Sequence, residues 1–545
     1  MAPPAPANTP ADLHSPARGP VFGKRGVAAS GQPLATLAGL DVLRGGGNAI
    51  DAALAVSAVM VVTQPYSSHL GGDAFTIIRT ASGETVALNA GGRAPLAATP
   101  ERFPDGVPLR GPTAVAVPGL VDAWCALQQR FATRPLAELL APAIALARDG
   151  FPTSQSLGRV ARGSQDELTA DPGCNEVFFG EGVARAGKIL RQPDLARTLE
   201  AIASDGRNGF YGGAVGKRIT AYMEEHGGLL SDEDLARDQA VWGEPLRVDY
   251  RGCTVYEQPL PSQGFLALEA LNIVEGFDLA NAPATSADAV HPCAEAMRLA
   301  FADRDAHVGD PDAVEVPIER LLSKEHAAEL RQRITNGAEA PTTSALRGGD
   351  TTSFAVADEQ GNLVSFIQSI FHPWGSAVLV PGTGVLLNNR MLGFSLDAAS
   401  PNALRPGMRT VHTLNTWLLD GPDGVVYAGG TPGADFQVQT NLQVITNLVD
   451  RRLDPQSAID APKWVLTARG DLAPKWVLTA RGDLALEGRF PQETLDELSK
   501  RGHRVKPGAA WETTFSRSQL VARRADGTLL AASDLRGEGS ALGWS

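Results

Sequence analysis

Residues 348–366 read GGDTTSFAVADEQGNLVSF. The stretch before them, NGAEAPTTSALRGGD (336–350), is polar and rich in Gly, Ala and Thr, and reads as an exposed linker. After Asp350 the pattern alternates. Phe354 and Val356 fall on one face, Ala355 and Ala357 on the other. Gln360-Gly361-Asn362 supplies a turn, and residues 363–370 run back as a partner strand, so the segment reads as a β-hairpin. Thr351 and Thr352 therefore sit where a linker meets the edge of a sheet.

That position suits one kind of chemistry. A threonine hydroxyl is a poor nucleophile without a base within hydrogen-bond reach. Its own α-amino group is such a base once the residue begins a chain, with an ordinary pKa of about 7.7–8.0. A linker that can be cut before Thr351, and a strand that holds Thr351 still, would provide both conditions. Polar Asp-Thr-Thr-Ser stretches also occur in ordinary loops, so the reading needs support from the rest of the chain.

Outward from the hairpin, the periodicity predicts helices over 136–149, 192–204, 286–306 (with Pro292 as a kink), 318–334 and 437–449. Strands are predicted over 75–79, 85–89, 246–256, 384–387, 414–419 and 425–429, with the sheet concentrated after residue 350. This is an α+β pattern. In GGGNAIDAA (45–53), Asn48 caps a helix with Asp51 in its first turn; without the Lys-Ser/Thr of a phosphate loop, the glycines read as a tight helix-to-helix turn. The most apolar run, 52–62, is too short for a bilayer and predicts a buried helix, not a membrane span. Residues 1–25, rich in Pro and Ala and without the pattern of a secretory signal, read as a disordered lead-in. APKWVLTARGDL occurs twice in tandem, at 461–472 and 473–484, far too few copies for a solenoid. One copy is expected to occupy the fold and the other to loop out.

With 545 residues, 43% of them apolar, the chain can bury a large core. The net charge of −13 would repel nucleic acid on average. Cys125, Cys174, Cys253 and Cys293 form no CxxC pair, and the nine histidines no HExxH or HxH. Reduced thiols, a cytoplasmic location, no metal and no cofactor are the expectation.

Several long motifs in order carry a family resemblance across about residues 26–535: GVAASGQPLATLAGLDVLRGGGNAIDAALAVSAV, HLGGDAF, AVAVPGLVDAW and AEAMRLAFADRDAHVGDPD before the linker, then DTTSFAVADEQGNLVSF, FHPWGSAVLVPGTGVLLNNRMLGFS and GGTPGADFQVQTNLQVITNLVDRRLDPQSAIDAPKW. The chain resembles the γ-glutamyltransferase family. The resemblance implies an N-terminal-nucleophile hydrolase: a four-layer αββα sandwich made from two segments, 26–350 and 351–545, of one chain that cuts itself between Asp350 and Thr351. The segments would stay associated as a heterodimer. Thr351 would attack a small-molecule amide, form an acyl-enzyme, and pass the acyl group to water or an amine. Ser369 falls on the family's second threonine, whose hydroxyl bonds the nucleophile's amine, and Gly433 and Ala434 fall on the Gly-Gly whose N–H groups bind the oxyanion.

The sequence departs from the family where the family grips a glutamyl group. Gly393 replaces the aspartate for the α-amino group, Arg390 a glutamine, Phe371 an asparagine, Gly91 the carboxylate-binding arginine, and His412-Thr413 a Ser-Ser pair. Arg93, Arg390 and Arg409, with His412 and Thr413, are then the candidate substrate-binding residues, suited to a carboxylate. The pattern looks closer to amidohydrolase members such as oxamate amidohydrolase. A glutaryl or cephalosporin acylase is a second enzyme reading, ordinary glutathione chemistry the family default, and an unprocessed non-catalytic relative a reading of another class.

Overall fold

A computed structural model describes residues 18–180, 185–237, 239–334, 349–467 and 482–545. Two seven-stranded sheets form its centre. One runs in the order Ser540–Trp544, Gly26–Ser30, Thr352–Asp358, Leu363–Ser369, Asp73–Arg79, Thr85–Ala90, Val241–Gly243. The other runs Val21–Gly23, Leu529–Ser533, Gln519–Arg523, Val426–Gly430, Trp417–Asp420, Cys253–Glu257, Leu246–Tyr250. Neighbouring strands are antiparallel throughout both.

The alternation in the opening hairpin decides the layering. Phe354, Val356 and Phe366 pack into a core shared with the helices Pro33–Arg44, Ala49–Thr63 and Leu136–Asp149. Ala355, Ala357 and Leu363 point the other way, against Ala428, Val521 and Ala531 of the second sheet. Small side chains there let two pleated faces approach closely. Beyond the second sheet, the helices Phe265–Val274, Ala287–His307 and Phe436–Val449 build another core. The result is helix, sheet, sheet, helix. Both sheets interleave strands from either side of residue 350, for example Gly26–Ser30 between Ser540–Trp544 and Thr352–Asp358.

Local chemistry explains most elements. Asn48 and Asp51 form a capping box at the helix Ala49–Thr63, all of whose residues are buried. Gly46, at φ +85°, makes the preceding turn. No helix among the described residues is long and apolar enough to cross a membrane. Three expectations shift. The single strand over 246–256 is a hairpin, Leu246–Tyr250 and Cys253–Glu257, turned by Arg251 and Gly252 at φ +50° and +79°. The single helix over 318–334 is two, because Ser323 caps a new start by accepting from His326 N. The lead-in ends earlier than residue 25: Arg18 donates to Ser533 O, and Val21–Gly23 pairs with Leu529–Ser533.

The linker lies outside the described residues except for Gly349 and Asp350. The tandem repeat meets the fold at a hairpin. Trp464–Thr467, from the first copy, pairs with Asp483–Leu486, which starts with the last two residues of the second. Residues 468–481 lie outside the described set.

Candidate active site

Register builds the site. Thr352 pairs with Gln368 across the hairpin, so one step further Thr351 faces Ser369. Thr351 Oγ1 donates to Ser369 Oγ at 3.1 Å and lies 2.6 Å from the carbonyl oxygen of Asp350. Ser369 Oγ donates to that same carbonyl at 2.8 Å and accepts from Phe371 N at 2.8 Å. Phe371, at φ +80°, reverses the chain so that its own carbonyl accepts from Asp350 N at 2.8 Å. Left-handed backbone is uncommon for a bulky residue and costs of order 1–3 kcal/mol. Here it closes a ring of hydrogen bonds around the Asp350–Thr351 peptide bond. All these residues are buried.

The Asp350 carboxylate is held too. Its Oδ1 accepts from Arg517 Nη2 at 2.5 Å and from Thr351 N at 2.8 Å. Asp350 and Thr351 line a cavity of about 240 Å³ together with Tyr66, Arg159, Gly433 and Arg517. Burial, and then the neighbouring Asp350 charge, push the Tyr66 phenol well above its ordinary range.

Gly433 lines this cavity and Ala434 follows it, just before the helix Phe436–Val449, with consecutive positive φ values, +126° and +49°. Their N–H groups donate to nothing among the described residues. Gln263 Nε2 donates to Ala434 O at 3.2 Å, and Arg304 pairs with both Gln263 and Asp435, which pins the loop from behind. Two free amides at a helix N-terminus are suited to a developing oxyanion.

The five candidate substrate-binding residues fall in two places. Arg390 Nε and His412 Nε2 both meet Asp73 Oδ2, at 2.8 and 3.1 Å. Arg390 also lies over the Phe371 ring, 4.2 Å from its centroid, and so reaches the back of the Thr351 site. Burial, then Arg390, depress His412 to about 4. Burial alone would raise the Asp73 carboxyl, but Arg390 and His412 hold it below its ordinary value. Arg409 spends Nε on Gly91 O and Nη2 on Gln239 O, and Arg93 is held by Gly407 O and Asp312. Thr413 is buried, and its carbonyl accepts from Asn415 Nδ2. None of the five lines the cavity at Thr351. Arg517, Tyr66 and Arg159 do, and no motif pointed to them; their signal is tertiary, since each comes from a different part of the chain.

The vacant family grips are filled by neighbours. A Cβ on Gly393 would meet Thr410 Cγ2 at 2.6 Å, and one on Gly91 would meet His412 Cδ2 at 3.0 Å. At either position a longer side chain would have to displace its neighbour. Two clusters among the described residues have the spacing to hold a metal ion, His291 with Glu295 and His503, and Glu269 with Asp303 and His326. Neither contributes a residue to the cavity.

An αββα sandwich that sets a threonine at a strand edge, next to a hydroxyl and a pair of free amides, defines an N-terminal-nucleophile hydrolase. The comparisons with known proteins agree. The family model described as gamma-glutamyltranspeptidase matches residues 35–544. The glutathione hydrolase-like YwrD proenzyme of Bacillus subtilis is 36% identical, over 96% of this chain and 99% of its own. The oxamate amidohydrolase proenzyme of Klebsiella pneumoniae is 35% identical, over 95% and 98%. The crystal structure of cephalosporin acylase from Bacillus halodurans superposes with a TM-score of 0.89 at 37% identity, over 99% of this chain and 100% of that one. The chain belongs to the γ-glutamyltranspeptidase family and is an enzyme of it, a self-processing amide hydrolase and acyltransferase.

Proposed function

We propose that Thr351 is the nucleophile and that cleavage of the Asp350–Thr351 bond frees it. The observation that carries this is the Thr351 hydroxyl 2.6 Å from the Asp350 carbonyl oxygen, with Ser369 donating to the same oxygen. Oγ1 attacks the Asp350 carbonyl carbon, the C–N bond breaks, and the departing nitrogen takes the proton. Water then hydrolyses the ester, leaving Asp350 with a terminal carboxylate and Thr351 with a free amine and hydroxyl. In turnover that amine takes the proton from Oγ1 as it attacks an amide. The Gly433 and Ala434 amides hold the oxyanion. The acyl group then passes to water or an acceptor amine. The two segments stay together as a heterodimer because both sheets are built from strands of each. Four unpaired cysteines agree with a reducing, cytoplasmic setting.

The substrate is a small amide that carries a carboxylate and needs no α-ammonium. Supporting this, Gly393 offers no carboxylate to an ammonium, and Thr410 fills the space where one would project. Glutathione-type compounds remain the family default, with the oxamate and glutaryl amides as alternatives. The intact mass of the purified protein, beside Thr351→Ala, tests the reading. Segments of 350 and 195 residues in the wild type, absent in the variant, are expected. A single uncut chain in both would point to the unprocessed, non-catalytic relative instead.

A further inference from the structure

The ester formed during self-cleavage and the acyl-enzyme formed in turnover are the same kind of bond, Thr351 Oγ1 to an acyl carbon. In self-cleavage the acyl group is Asp350, and the structure shows where its carboxylate goes. That makes Asp350 a guide to the substrate. We propose that Arg517 is the anchor for the substrate carboxylate, and that the preferred acyl group carries this carboxylate two carbons from the scissile carbonyl, as a succinyl monoamide does. The proposal rests on the preceding reading of Thr351 as the nucleophile.

Three observations carry it. First, Asp350 presents its scissile carbonyl to Thr351 and Ser369 while its own carboxylate sits 2.5 Å from Arg517 Nη2. The covalent path between those two carbonyl carbons runs through Cα and Cβ, which is the succinyl spacing. Second, the other candidate arginines are committed elsewhere. Arg409 and Arg93 are held by backbone carbonyls, and Arg390 Nε by Asp73, none of which self-cleavage removes; Arg390 Nη2 is buried without a partner, but none of the three lines the cavity at Thr351. The partner of Arg517 is instead the residue that cleavage turns into a chain end. Third, the surroundings fit a small anion. Arg517 and Arg159 line the same cavity as Thr351, against one standing carboxylate, Glu538. Once Asp350 is displaced, the cavity carries two guanidinium groups to one carboxylate. Arg517 itself is positioned from behind, its amide donating to Thr431 Oγ1 at 3.3 Å.

Chain length then separates the candidate substrates. An oxalyl group bears its carboxylate directly on the acyl carbon, about 2.5 Å short of the Asp350 spacing. A glutaryl group is one methylene too long.

The test uses the processed full-length enzyme and four p-nitroanilides: succinyl, glutaryl, oxalyl and the uncharged butyryl. The expected order of kcat/KM is succinyl, then glutaryl, then oxalyl. Succinyl should exceed butyryl by about 30-fold or more, the scale of a charge-assisted hydrogen bond. In Arg517→Met that ratio should fall towards one, and Arg517→Lys should restore part of it. The ratio is the readout, so incomplete processing of a variant does not disturb it. If Arg517→Met stays wholly uncut, the same ratio in Arg517→Lys decides, together with inhibition of the wild type by succinate against glutarate and oxalate. A wild-type ratio near one, a ratio that persists in the variant, or glutaryl or oxalyl ahead of succinyl would overturn the assignment. Failure of the nucleophile reading looks different: a chain that Thr351→Ala does not stop from being cut, or a processed enzyme that hydrolyses none of the anilides.

Discussion

Ser369→Ala separates two jobs of one hydroxyl. Ser369 Oγ donates to the Asp350 carbonyl at 2.8 Å and accepts from Phe371 N at 2.8 Å. The first bond strengthens as charge develops on the carbonyl oxygen during attack. Removing an oxyanion donor of this kind costs about 3 kcal/mol in the transition state, so self-cleavage should slow by roughly 150-fold. The second bond is the same in ground and transition states. Losing it leaves a buried amide without a partner and should lower stability by about 1–3 kcal/mol without further effect on the rate. Ser369→Thr keeps the hydroxyl and should stay within about tenfold of the wild-type rate. Freshly expressed protein, followed by intact mass for the appearance of the 195-residue segment, gives the rate, and urea titration of Thr351→Ala with and without Ser369→Ala gives the stability term in a chain that cannot cut. Cleavage of Ser369→Ala at close to the wild-type rate would refute the argument that Ser369 polarises the scissile carbonyl.

Three other outcomes follow from the geometry. His412, buried and depressed to about 4, binds a proton in the unfolded chain near pH 6.5 but not in the native one; its contribution is intact above pH 6.5 and is lost as pH falls to about 4, by roughly 3 kcal/mol. Denaturant titrations across that range should show a shallower decline in His412→Asn. Gly393→Asp drives a Cβ to 2.6 Å from Thr410 and should cost about 1–3 kcal/mol, lowering Tm without creating a preference for γ-glutamyl-p-nitroanilide; Gly393→Asp with Thr410→Ala should recover most of the Tm. Deleting residues 470–481 shortens the connection between Thr467 and Asp483 from 15 residues to 3; loop closure alone then predicts a gain of about 1.4 kcal/mol, read by urea titration, with unchanged anilide turnover.

The layering was legible in the sequence because period two is a statement about faces. Phe354 and Val356 against Ala355 and Ala357 already separated a helix-packed side from a sheet-packed side, and the cores divide along that line. Helix positions were legible where a cap marked them, as at Asn48, and misread where a cap interrupted a continuous pattern, as at Ser323. A turn of Arg251 and Gly252 inside an alternating run was missed because one glycine in a strand pattern also fits a bulge.

The site was legible only as far as backbone register reaches. Thr351, Ser369, Gly433 and Ala434 lie on or beside elements that the pattern marks: Thr351 and Gly433 line one cavity, Ser369 is hydrogen-bonded to Thr351, and Ala434 follows Gly433. Side chains that reach a site across the fold leave no periodic trace. Arg93, Arg390 and Arg409 were candidates because they are cations near family motifs, yet they are held by Gly407, Asp73, Gly91 and Gln239 outside the cavity at Thr351, even though Arg390 Nη2 is buried without a partner. Arg517 stands in TFSRSQL, which carries no motif, and its partner Asp350 lies 167 positions away. A charge pair at that separation cannot be read from either neighbourhood alone. It can be read from the chemistry of processing: a chain that must acylate its own threonine with an aspartate needs somewhere to put the aspartate's carboxylate, and that place remains after the aspartate has gone.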